Sequence, residues 1–267
     1  MPTSFGQVIS PLGVVLGFPG AVSRVGERIV AARQVVQQSA SGTFNLNFGD
    51  PAVVIPNASG GYWASVADFI NAAAANVGLL SAQFAGMAIR EVQTQLPYPA
   101  GQTPGVLQVG YYAPNQMGEV LERGSGTVLL TVGAPNAEAQ VYTRVVLNAG
   151  NVPAGVIGDW ETNPAATDLF STTATAASIG TAVTIASATN TINGQVVSGF
   201  GIAPGTYVAS GGGTTSIVLN QNTNAIIPAG TPITFSNLVA LPNVVTRTGF
   251  VDANSMVEIT IKVRNAA

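Results

Sequence analysis

Regular alternation of apolar and polar residues recurs along this chain and predicts strands rather than helices. The clearest case is 256–264, where every second residue from Val257 to Val263 is apolar and the residues between them are polar or charged. A period of two places one face of such a strand against a core and the other towards solvent. Asp252-Ala253-Asn254 supplies a turn before it, so residues 246–251 are predicted to pair with it as a hairpin.

A second strand signal lies in residues 110–132, GYYAPNQMGEVLERGSGTVLLTV. Two extended segments are predicted, 119–123 and 127–132, with Gly124-Ser125-Gly126 between them. In the later segment Val128, Leu130 and Val132 share one face, the pattern of a half-buried strand. The glycines are compatible with a tight hairpin or with one long strand interrupted by a bulge, and the sequence leaves both open.

Other segments add to an all-β pattern. Strands are predicted at 44–48, 53–55, 84–92 and 140–147, with shorter β-branched pairs at 29–30 and 35–36. One helix is predicted, beginning after Ser65 and ending near 76–78. Ser65 is its predicted cap and Asp68 its capping-box partner, and an apolar stripe runs along one face. The expected fold is therefore mainly β with one short helix.

Composition changes sharply after Asp168. No residue from 169 to 246 is charged, and within this run 171–237 is rich in Thr, Ser, Ala, Asn and Gly. Short strand-like pieces at 182–185, 195–198, 206–209, 216–219 and 233–235 favour a small β module over a disordered linker. A module of this size is only marginally stable alone, so we expect it to lean on its host or on a copy of itself.

These boundaries predict three parts. Residues 1–20 form an extended N-terminal arm, residues 21–170 plus 238–267 form a β-barrel or jelly-roll-like body, and residues 171–237 form an inserted, protruding, β-sandwich-like module. The arm is apolar but broken by Pro11, Pro19 and several glycines, and no basic residue precedes Arg24. Neither a signal peptide nor a membrane span fits that pattern, and a strap across a neighbouring molecule fits it better.

Charge content narrows the kind of partner. The chain has 9 basic and 12 acidic residues, so 8% of it is charged and the net charge is −3, whereas a typical domain is about 25% charged. Such a balance argues against nucleic acid and against a membrane surface as partners. A surface this poor in charge is prone to association, which favours a subunit covered by other proteins. The arginines of 24–38 are interpreted first as the solvated side of a strand, with acidic partner surface as the alternative.

The residue types for common catalysis are missing. The sequence contains no Cys and no His, which excludes disulfides, thiol nucleophiles and the usual triads. Two carboxylate pairs raise the question of a hydrolase. Glu119 and Glu122 are predicted to point to opposite faces, while Asp159 and Glu161 share a face without any sign of a pocket. Both pairs are interpreted as solvated side chains. No catalytic, cofactor-binding or metal-ligating residue is predicted.

Several motifs taken together resemble the structural cement, or head-decoration, proteins of tailed phages. They are 46–51 (LNFGDP), 65–70 (SVADFI), 84–92 (FAGMAIREV), 111–124 (YYAPNQMGEVLERG), 141–146 (VYTRVV) and 246–260 (TRTGFVDANSMVEIT). The likeness covers most of 40–165 and 240–265, and it rests on the order of these segments. Residues 201–206 (GIAPGT) are similar to β modules of phage and bacterial surface proteins.

The resemblance implies a non-enzymatic protein on the outer surface of the virion. Its partners would be the major capsid protein and copies of itself, as a dimer or trimer, with no cofactor. The candidate contact residues are Leu12, Val15, Phe18, Arg24, Arg28, Arg33, Tyr98, Tyr111 and Tyr112. The alternative is a surface adhesin whose 171–237 module binds a host-surface glycan. The module's aromatics, Phe170, Phe200, Tyr207 and Phe235, favour a passive protrusion, because phenylalanines at strand positions more often pack in a core.

Overall fold

The computed structural model describes residues 19–23, 28–40, 42, 44–58, 60–90, 110–147 and 155–262. Those residues form an all-β protein with two short helices, so the predicted fold class is confirmed and one helix was missed. The elements are β1 (Ile29–Gln34), β2 (Leu46–Asn47), β3 (Pro51–Ile55), β4 (Tyr62–Ser65), α1 (Val66–Ala72), α2 (Asn76–Gln83), β5 (Phe84–Ala88), β6 (Tyr111–Tyr112), β7 (Met117–Val132), β8 (Gln140–Arg144), β9 (Trp160–Thr162), β10 (Leu169–Thr173), β11 (Ala182–Thr184), β12 (Val196–Gly199), β13 (Val208–Ser210), β14 (Ser216–Leu219), β15 (Pro232–Ser236), β16 (Leu238–Thr246) and β17 (Met256–Ile261). None of the helices within these ranges is long and apolar enough to cross a membrane.

Five strands of the body close into a ring in the order β7, β17, β16, β8, β9 and back to β7. All neighbours in the ring are antiparallel except β7 and β9. Closure leaves no unpaired edge within the ring, which is how β-barrels avoid edge-to-edge association.

Strand β7 joins this ring to a second sheet. Its second half, from Gly124, pairs with β17, while its first half pairs with β1 and β5, and the sheet continues through β3 to β4. Register with β1 slips between Leu121 and Arg123, so Glu122 is an extra residue in β7. Gly124 then has φ +131°, which only glycine adopts readily. The glycines therefore mark one long bulged strand, not a hairpin.

The body's core spans both sheets. Trp160 of β9 packs edge-on against Phe84 of β5, with ring centroids 6.1 Å apart. Its indole N–H donates to the carbonyl of Gly49 at 2.6 Å. Met87, Leu121 and Ile259 are fully or almost fully buried in the same cluster. One tryptophan thus ties the turn after β2 to the closed ring.

Helix α1 begins as predicted at Ser65, whose hydroxyl accepts from the backbone N–H of Asp68 at 3.2 Å. The other half of the predicted capping box is absent. The Asp68 carboxylate instead accepts from the backbone N–H groups of Gln38 and Ser39, at 2.6 and 2.8 Å. Helix α2 was missed because it has no side-chain cap and buries only Val77 and Leu80.

The C-terminal hairpin forms with a different partner segment from the one predicted. Strand β17 pairs with Val244–Thr246 at the end of β16, and residues 248–251 lie outside any strand. Asp252 explains the longer connection. Its Oδ1 accepts from the backbone N–H groups of Asn254 and Met256, at 2.8 and 2.9 Å, which closes the turn immediately before β17.

The segment predicted as an inserted module has its own core. Two three-stranded sheets, β10-β15-β12 and β11-β14-β13, face each other. Isolated bridges at Ala174–Ile185 and Val196–Tyr207 connect their edges, so the two sheets form a nearly closed small barrel. Its interior consists of buried residues between Ala174 and Phe235, with Phe170 stacked on Phe235 at 5.4 Å. Pairing begins at Leu169, two residues before the predicted boundary.

Candidate functional surface

The predicted contact residues fall into three groups. Five of them lie outside the described residues: Leu12, Val15, Phe18, Arg24 and Tyr98. Two are exposed on the body, Arg28 next to β1 and Tyr111 in β6. The remaining two, Arg33 and Tyr112, are partly buried and engaged within the chain.

Arg33 and Tyr112 have structural contacts that sequence reasoning did not anticipate. The guanidinium of Arg33 lies 4.6 Å from the ring centroid of Trp63 and donates to the carbonyl of Gly60. The Tyr112 hydroxyl donates to the carbonyl of Ile89 at 2.9 Å, and its ring meets Phe48 edge-on. The exposed neighbours of these residues are therefore the better contact candidates.

Large apolar side chains are exposed on both parts of the molecule. On the body, Tyr111 and Met117 flank the turn 113–116 and are 51% and 61% exposed. Ile29, at the other end of β1, is 49% exposed. Exposed apolar side chains that form a contiguous patch mark contact surfaces, and Tyr111 and Met117 lie on either side of one turn.

The small barrel carries a second group of exposed apolar residues, Ile179, Phe200 and Ile226. Ser178 and Ile227 exchange two backbone hydrogen bonds, which makes Ile179 and Ile226 cross-strand neighbours. Asn224 donates to the carbonyl of Gly201 and so brings the Phe200 loop alongside. Of the module's other aromatics, Phe170 and Phe235 pack in the barrel core, as expected for phenylalanines at strand positions, whereas Phe200 is 65% exposed.

A buried ionic cluster lies where the small barrel meets the body. Arg144 of β8 is fully buried and donates to two carboxylates at once. It reaches Asp168 at 2.9 and 3.0 Å and Glu161 at 2.5 and 2.9 Å. Asn237 donates to Asp168 at 2.8 Å, and Gln195 of the small barrel donates to Asn237 at 2.8 Å.

Each carboxylate of the ionic cluster accepts two hydrogen bonds from the guanidinium of Arg144. Burial alone disfavours the charged guanidinium, but the hydrogen bonds and charges of Asp168 and Glu161 outweigh it and raise the pKa of Arg144. Arg144 stays cationic, and the two carboxylates have a fixed counter-charge. Glu161 was interpreted as a solvated carboxylate; that interpretation is wrong, because the side chain is 1% exposed and ion-paired. Glu122 is likewise buried, at 8% exposed.

A pocket of about 250 Å³ lies between the turn 47–50 and the loop 155–159. Asp50 and Asp159 both line it, together with Asn45, Asn47 and Ser65 among its polar residues. The expectation that nothing marks a pocket near Asp159 is therefore wrong. Asp50 was assigned only to a turn because Gly49-Asp50-Pro51 is a strong turn signal, and its distance in sequence from Asp159 concealed the pairing.

Neutral groups are the donors to these two carboxylates. Asn47 donates its backbone N–H and its side-chain amide to Asp50, at 3.1 and 2.8 Å, and the Thr131 hydroxyl donates to Asp159 at 2.5 Å. Burial raises the pKa of Asp50 to about 7, the Asn47 hydrogen bonds oppose it, and the charge of Asp159 adds to it. Burial also raises the pKa of Asp159, and the bond from Thr131 opposes that shift.

Within the described ranges, no group of three or more acidic side chains is placed to hold a metal ion. No protein-family model matches this sequence, and no curated protein sequence matches it either.

Proposed function

We propose that this protein is a structural decoration protein of a tailed-phage capsid, one that lies on the outside of the shell and bridges neighbouring major capsid subunits. The observation that carries the proposal is the surface. Large apolar side chains such as Tyr111 and Met117 are exposed on a rigid β body in a chain that is only 8% charged. Such a surface favours lying against other proteins. The ordered motifs that resemble cement proteins supply the identity of the partner.

The mechanism is binding energy distributed over area. A stable protein contact buries about 800 Å² on each partner. Many copies on one shell reinforce each other, because each contact that is already made holds the next one at a high local concentration. The body supplies rigidity through its closed ring, and the N-terminal arm is the predicted strap to a neighbouring molecule. No chemical step is involved.

The test uses purified capsid shells that lack the protein. We expect the full chain to bind them and to raise the temperature at which they break. The triple variant I29S/Y111S/M117S, which changes only exposed body residues, should bind at least tenfold more weakly. A matched triple variant on the small barrel, I179S/F200S/I226S, should bind shells like the native chain. Shells whose heat resistance is unchanged by saturating native protein would reject the proposal.

Deleting residues 1–18 tests the strap separately. Residues 19–23 are described as part of the body, because Gly20 donates to the carbonyl of Thr127 at 2.9 Å and Val22 bridges to Gly126. The truncated chain should therefore keep its native thermal unfolding temperature while losing shell affinity. A truncated chain that fails to fold would show instead that the arm belongs to the core.

A further inference from the structure

The pocket between the turn 47–50 and the loop 155–159 is lined by two carboxylates, one from each of these segments. Asp50 stands at the end of the turn that follows β2, and Asp159 immediately precedes β9. None of the described residues lining the pocket is basic. Two acidic groups that share a partly closed space without a cation resist being charged together.

The same two segments are joined by one strong contact. The indole N–H of Trp160, the residue after Asp159, donates to the carbonyl of Gly49, the residue before Asp50, at 2.6 Å. Any repulsion between the carboxylates therefore acts directly across this hydrogen bond. The Asn47 and Thr131 donors stabilise each carboxylate separately, but they do not link one wall of the pocket to the other.

We propose that Asp50 and Asp159 form a protonation-controlled latch, which holds the turn 47–50 against the loop 155–159 while the pair retains a proton and loosens when both carboxylates are charged. The change would occur near neutral pH, because burial raises the pKa of Asp50 to about 7 and raises that of Asp159 as well. Both side chains are half-buried, so protons reach them without unfolding.

The described charged groups around the latch do not neutralise the negative charges of Asp50 and Asp159. From the loop side, Asp159 is the charge that acts on Asp50. Behind Asp159 lies Glu161, whose charge is held by Arg144. On α1, the Asp68 carboxylate accepts hydrogen bonds from the backbone N–H groups of Gln38 and Ser39. β7 presents the neutral Thr131.

The latch also lies beside the point where the predicted arm joins the body. Gly49 has φ +88°, and a Cβ on it would come within 2.7 Å of the Cβ of Pro19. Gly20 packs against Phe48 and Gly49 from the same side. Loosening of the turn 47–50 would therefore weaken its contacts with Pro19 and Gly20, where the predicted arm joins the body. Protonation of the latch would strengthen those contacts.

Hydrogen exchange followed by mass spectrometry tests the latch on the isolated full chain, at pH 5.5 and 8.5, with rates corrected for intrinsic exchange. We expect peptides covering 44–51 and 155–162 to exchange at least tenfold faster at pH 8.5, while β17 is unchanged. D50N and D159N should each remove most of this difference. E138Q, which removes an exposed carboxylate elsewhere, should respond like the native chain.

The outcomes are distinct. Equal corrected rates at the two pH values in the native chain would overturn the latch, and so would D50N and D159N variants that both keep the native response. If one variant fails to fold, the other and the native chain still decide. Because no capsid shell is used, the result is independent of the proposed decoration role.

Discussion

Two pairs of acidic side chains lie close together in the body and have opposite electrostatic environments. Glu161 and Asp168 enclose the guanidinium of Arg144, and all three are at most 1% exposed. Asp50 and Asp159 face a pocket, and within the described residues the donors to their carboxylates are the neutral Asn47 and Thr131. Asp159 and Glu161 are only two residues apart, so local sequence does not decide which environment a carboxylate meets.

The difference shows how a protein with few charges uses them. Where a cation is buried together with the carboxylates, its hydrogen bonds and charge oppose the burial that raises the pKa of Glu161, and the cluster connects structural parts, here the body and the small barrel. Where only neutral donors are present, the carboxylates remain sensitive to pH. Replacing single members of each group separates these two roles.

The largest effect is expected for Arg144→Met. The substitution leaves Glu161 and Asp168 buried without their counter-charge, and breaking a buried pair in this way costs about 3–5 kcal/mol of unfolding free energy. Denaturant unfolding at pH 7 measures it. Arg247→Met is the matched control, because the Arg247–Glu138 bridge is 3.5 Å long and about half exposed, and such surface pairs contribute about 0–1 kcal/mol. Similar losses in the two variants would contradict the assignment of the ionic cluster.

An intermediate, pH-dependent effect is expected for Asp50→Asn. The pKa of Asp50 is raised to about 7 in the folded chain from an ordinary value of 3.8. Its neutral form is therefore favoured by folding, so the corresponding stability is present at low pH and is lost as pH rises through about 7. About 1.5 pH units of the range from 5.5 to 8.5 lie below that pKa, at about 1.36 kcal/mol each, so we expect the native chain to lose at most about 2 kcal/mol, and less because Asp50 is partly exposed. The Asn variant should lose less than half of that in denaturant unfolding.

The smallest effect is expected for Thr131→Val, which removes the hydroxyl that donates to Asp159 at 2.5 Å. A hydrogen bond to a charged group contributes about 1.5 kcal/mol. Measured at pH 8.5 and 5.5, the loss should decrease towards the lower pH to the extent that Asp159, whose pKa burial raises, becomes protonated there. Thr260→Val is the control, since Thr260 pairs with the neutral hydroxyl of Ser125 at 2.8 Å. Its cost should be the same at both pH values. A pH-independent loss for Thr131→Val would mean that Asp159 does not change its charge in this range.

Sequence patterns predicted strands better than they predicted which faces are covered. Alternation in 256–264 correctly placed Val257, Ile259 and Ile261 in the core. It also placed Glu258 towards solvent, yet Glu258 is 5% exposed because the segment 19–23 covers it and Ser23 donates to its carboxylate at 2.7 Å. A period of two identifies two faces of a strand. It carries no information on whether a distant segment packs on the second one.

The ionic cluster and the pocket were even harder to predict, because both are formed by segments that are distant in the sequence. Alternation along β8 places Arg144 on the face opposite Val141 and Val145, yet Arg144 is as fully buried as they are. Gly155 allows this, because a Cβ there would collide with the Arg144 side chain. Asp168 could have been noticed as the last charge before the long uncharged run. Asp50 could not, since its partner Asp159 is brought near only by the fold.

A backbone hydrogen bond joins the two ends of the small barrel and bears on how this protein can evolve. The backbone N–H of Asn237 donates to the carbonyl of Asp168 at 2.8 Å, so the chain leaves and re-enters the body at one point. At such a point an entire domain is exchangeable for another, with the host fold kept intact. The constraint on any replacement is chemical, for it must offer Asn237 a donor in place of Gln195.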